Sequence, residues 1–318
     1  MPKIGTCKGS YNMYDKVSLL HKESPYVDLF SVRVDLSLSI QKTAKVGNSS
    51  KLNLTRSGRQ SCITMAVNFP VDYEEVLEQA KVATKAALND EKKLLEVEFP
   101  TAGLESVSGD AEGGIEMTSS MVLIRDFCLN FLASEQYART RIFFPDINEV
   151  EAAKVGIFEG TFFKLDYLTK PSGLEDIGFG EKVRVVDHLR PTDEMIVVAY
   201  PYFNVNEMLA VEELYTKGTA ESKVPILVFN GELDRIRSGY YPPFFYPKLA
   251  ALSKSLLPKF ETVYYIHNFK GSRGGALFRA YPGPWKVFRR GSNGLVCIHE
   301  QETMPSLKEV ALDILMRA

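Results

Sequence analysis

The chain has 318 residues, 45% of them apolar, and a formal net charge of -2, which is enough apolar content for a sizeable core. The charge is uneven: residues 1–67 hold ten Lys/Arg against four Asp/Glu, whereas residues 68–318 hold 28 against 36. The acidic main body opposes a polyanionic partner, no apolar run reaches membrane-spanning length, and four scattered cysteines without a CxxC pair argue against a zinc or disulfide framework.

Residues 1–67 carry fourteen Ser/Thr and lack a long periodic apolar segment. The stretch 42–62, KTAKVGNSSKLNLTRSGRQSC, is polar and basic without an aromatic residue, which is the composition of an organelle-targeting presequence. Two other readings stand beside it: an edge strand over 32–40, VRVDLSLSI, and a basic arm for nucleic acid, which scattered lysines without interleaved aromatics support only weakly. Ile63, Thr64, Met65 and Ala66 supply small and apolar residues where a processing site would lie. The expectation is a largely disordered leader over 1–67 and one domain over 68–318.

The first helix signal follows at once. Asp72 is placed to cap it, Glu75 to complete a capping box and Val71 to staple against Val76, while Val76, Ala80, Ala83 and Ala87 form a narrow small-residue face. Residues 93–99, KLLEVEF, read as a strand ending at Pro100. After a Gly-rich loop, 118–136 reads as a helix with Met121, Ile124, Cys128, Phe131 and Leu132 on one face. Residues 139–144 form a strand that ends in Pro145 and Asp146, and 148–154 resume a helical pattern.

Two unalternating apolar runs, 195–199 and 224–229, read as strands covered on both faces, with an amphipathic helix over 206–217 between them. Strand, helix and strand in that order imply a parallel crossover. Beyond Asn230 the rhythm changes. YYPPFFY over 240–246 is too Pro-rich for a central strand, 247–257 reads as a helix, and 261–266, 275–279 and 285–288 read as strands before a last helix over 306–316. The fold class expected is α/β: a largely parallel sheet with helices on both faces and an antiparallel C-terminal extension.

Catalytic motifs are largely excluded. There is no GxxxxGK[ST], no GxGxxG after a strand and no GxSxG. His188 stands beside Asp187, an adjacency that usually sends the two side chains apart, and the other histidines lack ligand partners at short spacing. Glu96, Glu98, Asp146, Asp187 and Asp234 are the carboxylates from which a catalytic pair would be drawn, but the spatial separation that defines such a pair is not encoded in spacing. No catalytic, cofactor or metal residue is therefore assigned.

The candidate ligand or partner contacts are Asp146, Asn230, Arg273, Arg279 and Trp285. Asp146 and Asn230 follow strands, where α/β proteins place ligand groups, although turn formation explains both almost as well. Arg273 sits in the flexible GSRGG run, read as an anion site or a plain turn. Arg279, Arg289 and Arg290 flank the only tryptophan, Trp285, in a block that either grips a partner or lies half-buried under its own arginines.

The blocks EVEFP (96–100), FFPDINEVEAAKVG (143–156), VVAYP (197–201), ILVFN (226–230) and GGALFRAYPGPWKVF (274–288) resemble the domain of unknown function DUF1995 over roughly residues 68 to 316. Within that family the chain is similar to the plant low-photosystem-II-accumulation assembly factors. The resemblance implies import into the chloroplast stroma on a transit-like leader and work beside thylakoids on a photosystem II assembly intermediate or another assembly factor, and with no cofactor motif in the residues no cofactor is expected. The other expectation is an enzyme or sensor for a phosphorylated small molecule bound at the strand ends, which requires Asp146 and Asn230 to face one pocket with an arginine nearby.

Overall fold

Helix α1, Tyr73–Asn89, starts where its cap predicts: the Asp72 carboxylate accepts from the Glu75 N–H at 2.9 Å, and Glu75 in turn accepts from the N–H of Val71. Its small-residue face, with Val76, Ala80, Ala83 and Ala87, is buried. The computed structural model describes residues 67–107, 113–170, 184–202, 205–219, 222–271, 273–292 and 294–317. The leader up to Ala66, including the edge-strand reading of 32–40 and the processing segment, lies outside the described residues.

The elements that follow are β1 (Leu94–Glu98), α2 (Gly113–Phe131), β2 (Thr140–Asp146), α3 (Ile147–Val155), β3 (Lys164–Thr169), β4 (Met195–Ala199) and α4 (Val205–Glu213), which runs on as a π-helical turn. Then come β5 (Ile226–Phe229), α5 (Leu233–Arg237), α6 (Pro247–Ser255), β6 (Glu261–Phe269), β7 (Gly275–Ala280), β8 (Trp285–Gly291) and β9 (Gly294–Gln301). The chain closes with α7 (Leu307–Glu309), a π-helical turn and α8 (Leu315–Arg317). The stretch 134–136, expected to end the second helix, belongs instead to a separate 3-10 turn, Ser134–Arg139.

One nine-stranded sheet results, in the order β3-β2-β4-β5-β1-β6-β7-β8-β9. The pairs from β3 to β6 are parallel and those from β6 to β9 antiparallel, which is the α/β arrangement with an antiparallel extension that the sequence leads one to expect. Two edge strands, β3 and β9, were not evident in the sequence. Both are mixed-polarity strands with little full burial, so neither shows the apolar run of a central strand.

Alternation along the central strands sorts the core into two layers. Leu95 and Val97 pack with α1, α2 and α3, whereas Leu94 packs with α4, α5 and α6. A third cluster, Tyr265, Leu277, Trp285 and Val287, lies under Val310 and Leu315 of the closing turns. Glycine is required at Gly275: a Cβ there would stand 1.9 Å from the carbonyl oxygen of Phe288 on the neighbouring strand.

Candidate functional site

In an open parallel sheet, the carboxyl ends of the strands are where a ligand crevice opens. Three non-glycine residues here take left-handed backbone: Tyr200 (φ 37), Asn230 (φ 49) and Glu232 (φ 45). Such conformations turn the chain sharply off a strand and recur at ligand sites.

Asn230 ties two strand ends together. Its N–H donates to the Val97 carbonyl at 2.8 Å, and its Oδ1 accepts from the Phe99 N–H at 3.0 Å. That leaves the buried Nδ2, on a residue 6% exposed, without a partner among the described residues. It lines a cavity of about 30 Å3 shared with Glu98, Glu116, Ser120, Tyr202 and Glu232, room for about two water molecules.

The cavity is acidic in composition. Glu98 accepts from the Glu232 N–H at 3.1 Å, yet burial, followed by the charges of Glu232, Glu96 and Asp234, pushes its carboxyl well above the ordinary carboxylate range. Burial also raises Glu232, with Arg235 opposing it as an ion-pair partner at 2.5 Å. Both carboxyls are thereby biased toward the neutral acid, which can donate a hydrogen bond.

On the same side of β1, one step along the strand, lies a second polar cluster. Glu96 is fully buried and takes a bidentate grip from Arg237 at 2.8 and 2.6 Å, plus the Thr262 hydroxyl at 2.6 Å. Arg237 also reaches Asp234 at 3.2 Å, and Asp234 accepts from the Tyr265 hydroxyl. Burial lowers the neighbouring His267, which the charge of Asp234 offsets only in part. Of the five carboxylates singled out by sequence, Glu96, Glu98 and Asp234 thus lie in one region, while Asp146 and Asp187 lie apart. Among the described residues no group of His, Cys, Asp and Glu has the arrangement of a metal site.

Asp146 caps α3: its carboxylate accepts from the N–H groups of Asn148 and Glu149 at 2.8 and 3.1 Å. It does not line the cavity of Asn230, so the two strand-end candidates do not converge. His188 pairs with Asp166 at 2.5 Å and not with its neighbour Asp187.

The terminal block serves the fold. Trp285 is 2% exposed and stacks edge-on against Tyr265 at 5.1 Å, so it offers no surface to a partner. Arg279 covers it at 5.4 Å while bonding the Thr262 carbonyl at 3.0 Å and pairing with Glu261 at 3.0 Å. Arg273 and Arg289 donate to the carbonyls of Met316 and Leu315 at 2.9 and 2.8 Å, holding the last turn as basic residues hold helix C-termini.

Sequence reasoning did not single out Glu232 or Tyr202 for the cavity. The strand LLEVE points to Glu96 and Glu98, glutamates two apart on one face of a fully buried strand, but carries no signal for Glu232 or Tyr202. The exposed aromatic loop between α5 and α6, where Phe244 is 88% and Phe245 72% exposed, was read only as a non-strand.

No helix among the described residues is long and apolar enough to cross a membrane. No curated protein and no solved structure matches the chain. A family model matches residues 70–312, nearly the whole of the described domain, and by that match the chain belongs to the DUF1995 family, a domain of unknown function.

Proposed function

We propose that the protein is an auxiliary factor that assists assembly of a chlorophyll-binding core subunit into photosystem II by protein-protein contact, working in the chloroplast stroma and peripherally at the thylakoid membrane. The observation that supports the contact reading is the small size of the strand-end cavity, about 30 Å3, which has room for water-sized molecules rather than a metabolite. The choice of client rests on the similarity of the five sequence blocks to the plant assembly factors, and the stromal location on the basic, hydroxyl-rich leader.

The same geometry gives little support to a phosphorylated ligand. Asp146 and Asn230 do not share a pocket, and the nearby Arg235 is already paired with Glu232. The test is affinity isolation of the tagged protein from chloroplasts together with the assembly profile of a line that lacks it. Recovery of photosystem II intermediates and a stalled profile are expected; an unchanged profile overturns the proposal.

A further inference from the structure

Among the described residues, helices α5 and α6 are joined by a run of exposed aromatic side chains, and the α6 surface that follows it carries exposed lysines. Phe244 and Phe245 are 88% and 72% exposed, and Tyr240 is 69% exposed. The segment is nonetheless built: the N–H groups of Phe245 and Tyr246 both donate to the Pro242 carbonyl at 3.0 Å, and Tyr241 stacks edge-on with Tyr240 and Tyr246, each at 5.2 Å. Phe244 and Phe245 are themselves paired at 5.2 Å. Two prolines, Pro242 and Pro243, restrict the backbone further. Tyr241, half-buried at the base of the loop, lines a crevice with Pro201, Tyr202, Gly231 and the ion-paired Glu232 and Arg235, while Phe244 and Phe245 stay exposed.

From 235 to 260 the chain holds five Lys/Arg (Arg235, Arg237, Lys248, Lys254 and Lys259) and no Asp/Glu, inside a main body with eight more acidic than basic residues. Arg235 and Arg237 are paired with Glu232 and Glu96. Lys248 and Lys254 are exposed and make no ion pair among the described residues. Glu212 of the adjoining α4 bonds Ser255 at the far end of α6, away from the loop.

We infer that this loop is a membrane-docking tip that inserts Phe244 and Phe245 into the interface of an anionic lipid bilayer, with Lys248 at the headgroups. Paired exposed phenylalanines, followed on α6 by exposed lysines that no carboxylate pairs among the described residues, combine the apolar burial and the electrostatic attraction that hold peripheral proteins to such surfaces. The inference is independent of which protein is the client, because it concerns the lipid and not the photosystem.

The test is co-sedimentation of the full chain with vesicles of phosphatidylcholine plus phosphatidylglycerol, and with phosphatidylcholine alone. Binding to the mixed vesicles is expected, weaker binding to the neutral ones, and loss on raising the salt. The double variant Phe244→Ser/Phe245→Ser should lower the mixed-vesicle partition about tenfold or more with an unchanged melting midpoint, since both rings are already in water in the folded protein. Lys248→Glu should weaken binding to the anionic vesicles only. Failure of the wild-type chain to bind either vesicle overturns the inference. So does an unchanged partition of the double variant, or a double variant that loses a co-purified protein while keeping its vesicle binding.

Discussion

Arg237, at the end of α5, reaches into the sheet and holds both carboxylate oxygens of Glu96 on the central strand β1. A carboxylate with no exposed surface in an otherwise apolar strand is tolerated only when paired and hydrogen-bonded, and here the guanidinium and the Thr262 hydroxyl fill that role. Arg237→Met should therefore cost about 3–5 kcal/mol, because it strands the Glu96 charge. The double variant Glu96→Leu/Arg237→Met should recover most of that loss. Urea denaturation of the two proteins checks it, and equal instability of single and double variants would show that the charge is not the cause.

Glu98 gives the opposite kind of pH dependence from an ordinary salt-bridged acid. Its pKa is raised in the folded protein, so the fold binds that proton more tightly than the unfolded chain does. The stabilisation is fully present below the unfolded value and is lost as pH rises toward the folded one. Glu98→Gln keeps a neutral group of the same shape and removes this slope. The variant should be more stable than the wild type at neutral pH and lose that advantage in acid, read from melting midpoints across the range.

Trp285→Ala should destabilise the domain by about 3–5 kcal/mol by leaving a cavity beneath the closing turns. Trp285→Phe should cost less. If the tryptophan only locks the fold, client capture by either variant will track the folded fraction at the temperature of the assay. Capture lost while melting stays unchanged would restore it as a contact residue.

Asp146→Ala should cost about 1 kcal/mol through loss of the α3 cap, and Asp146→Asn only a few tenths, since asparagine caps equally well. Thermal melts of the pair distinguish a capping group from a ligand-binding charge, for which the asparagine variant would be as damaging functionally as the alanine one.

Much of the scaffold was legible because local chemistry and burial agreed. The cap at Asp72 and the apolar runs that became β4 and β5 carry their structures on short range. Asp146 was legible as a strand-end residue but not as a cap in preference to a ligand group, since both roles use the same carboxylate in the same place. Of the polar cluster, the carboxylates Glu96 and Asp234 were legible as candidates, but their partners were not. Glu96, Arg237 and Thr262 meet only because β1 is placed between β5 and β6, a neighbourhood set by the whole topology. Trp285 illustrates the converse: composition marked its block as distinctive, and only the packing of Val310 and Leu315 shows that the block faces inward.

The position of β1 also governs the order in which this protein can become itself. Among the described residues β1 is the first strand to be made, yet its two partners begin at Ile226 and Glu261, so it must wait for most of the domain before any ladder forms along it. Contacts of such long sequence separation delay folding, because the loop entropy is lost before the ladder repays it. Until Arg237 arrives, Glu96 lacks the guanidinium that pairs with it in the core. A polypeptide cut before residue 261 would leave one edge of β1 bare.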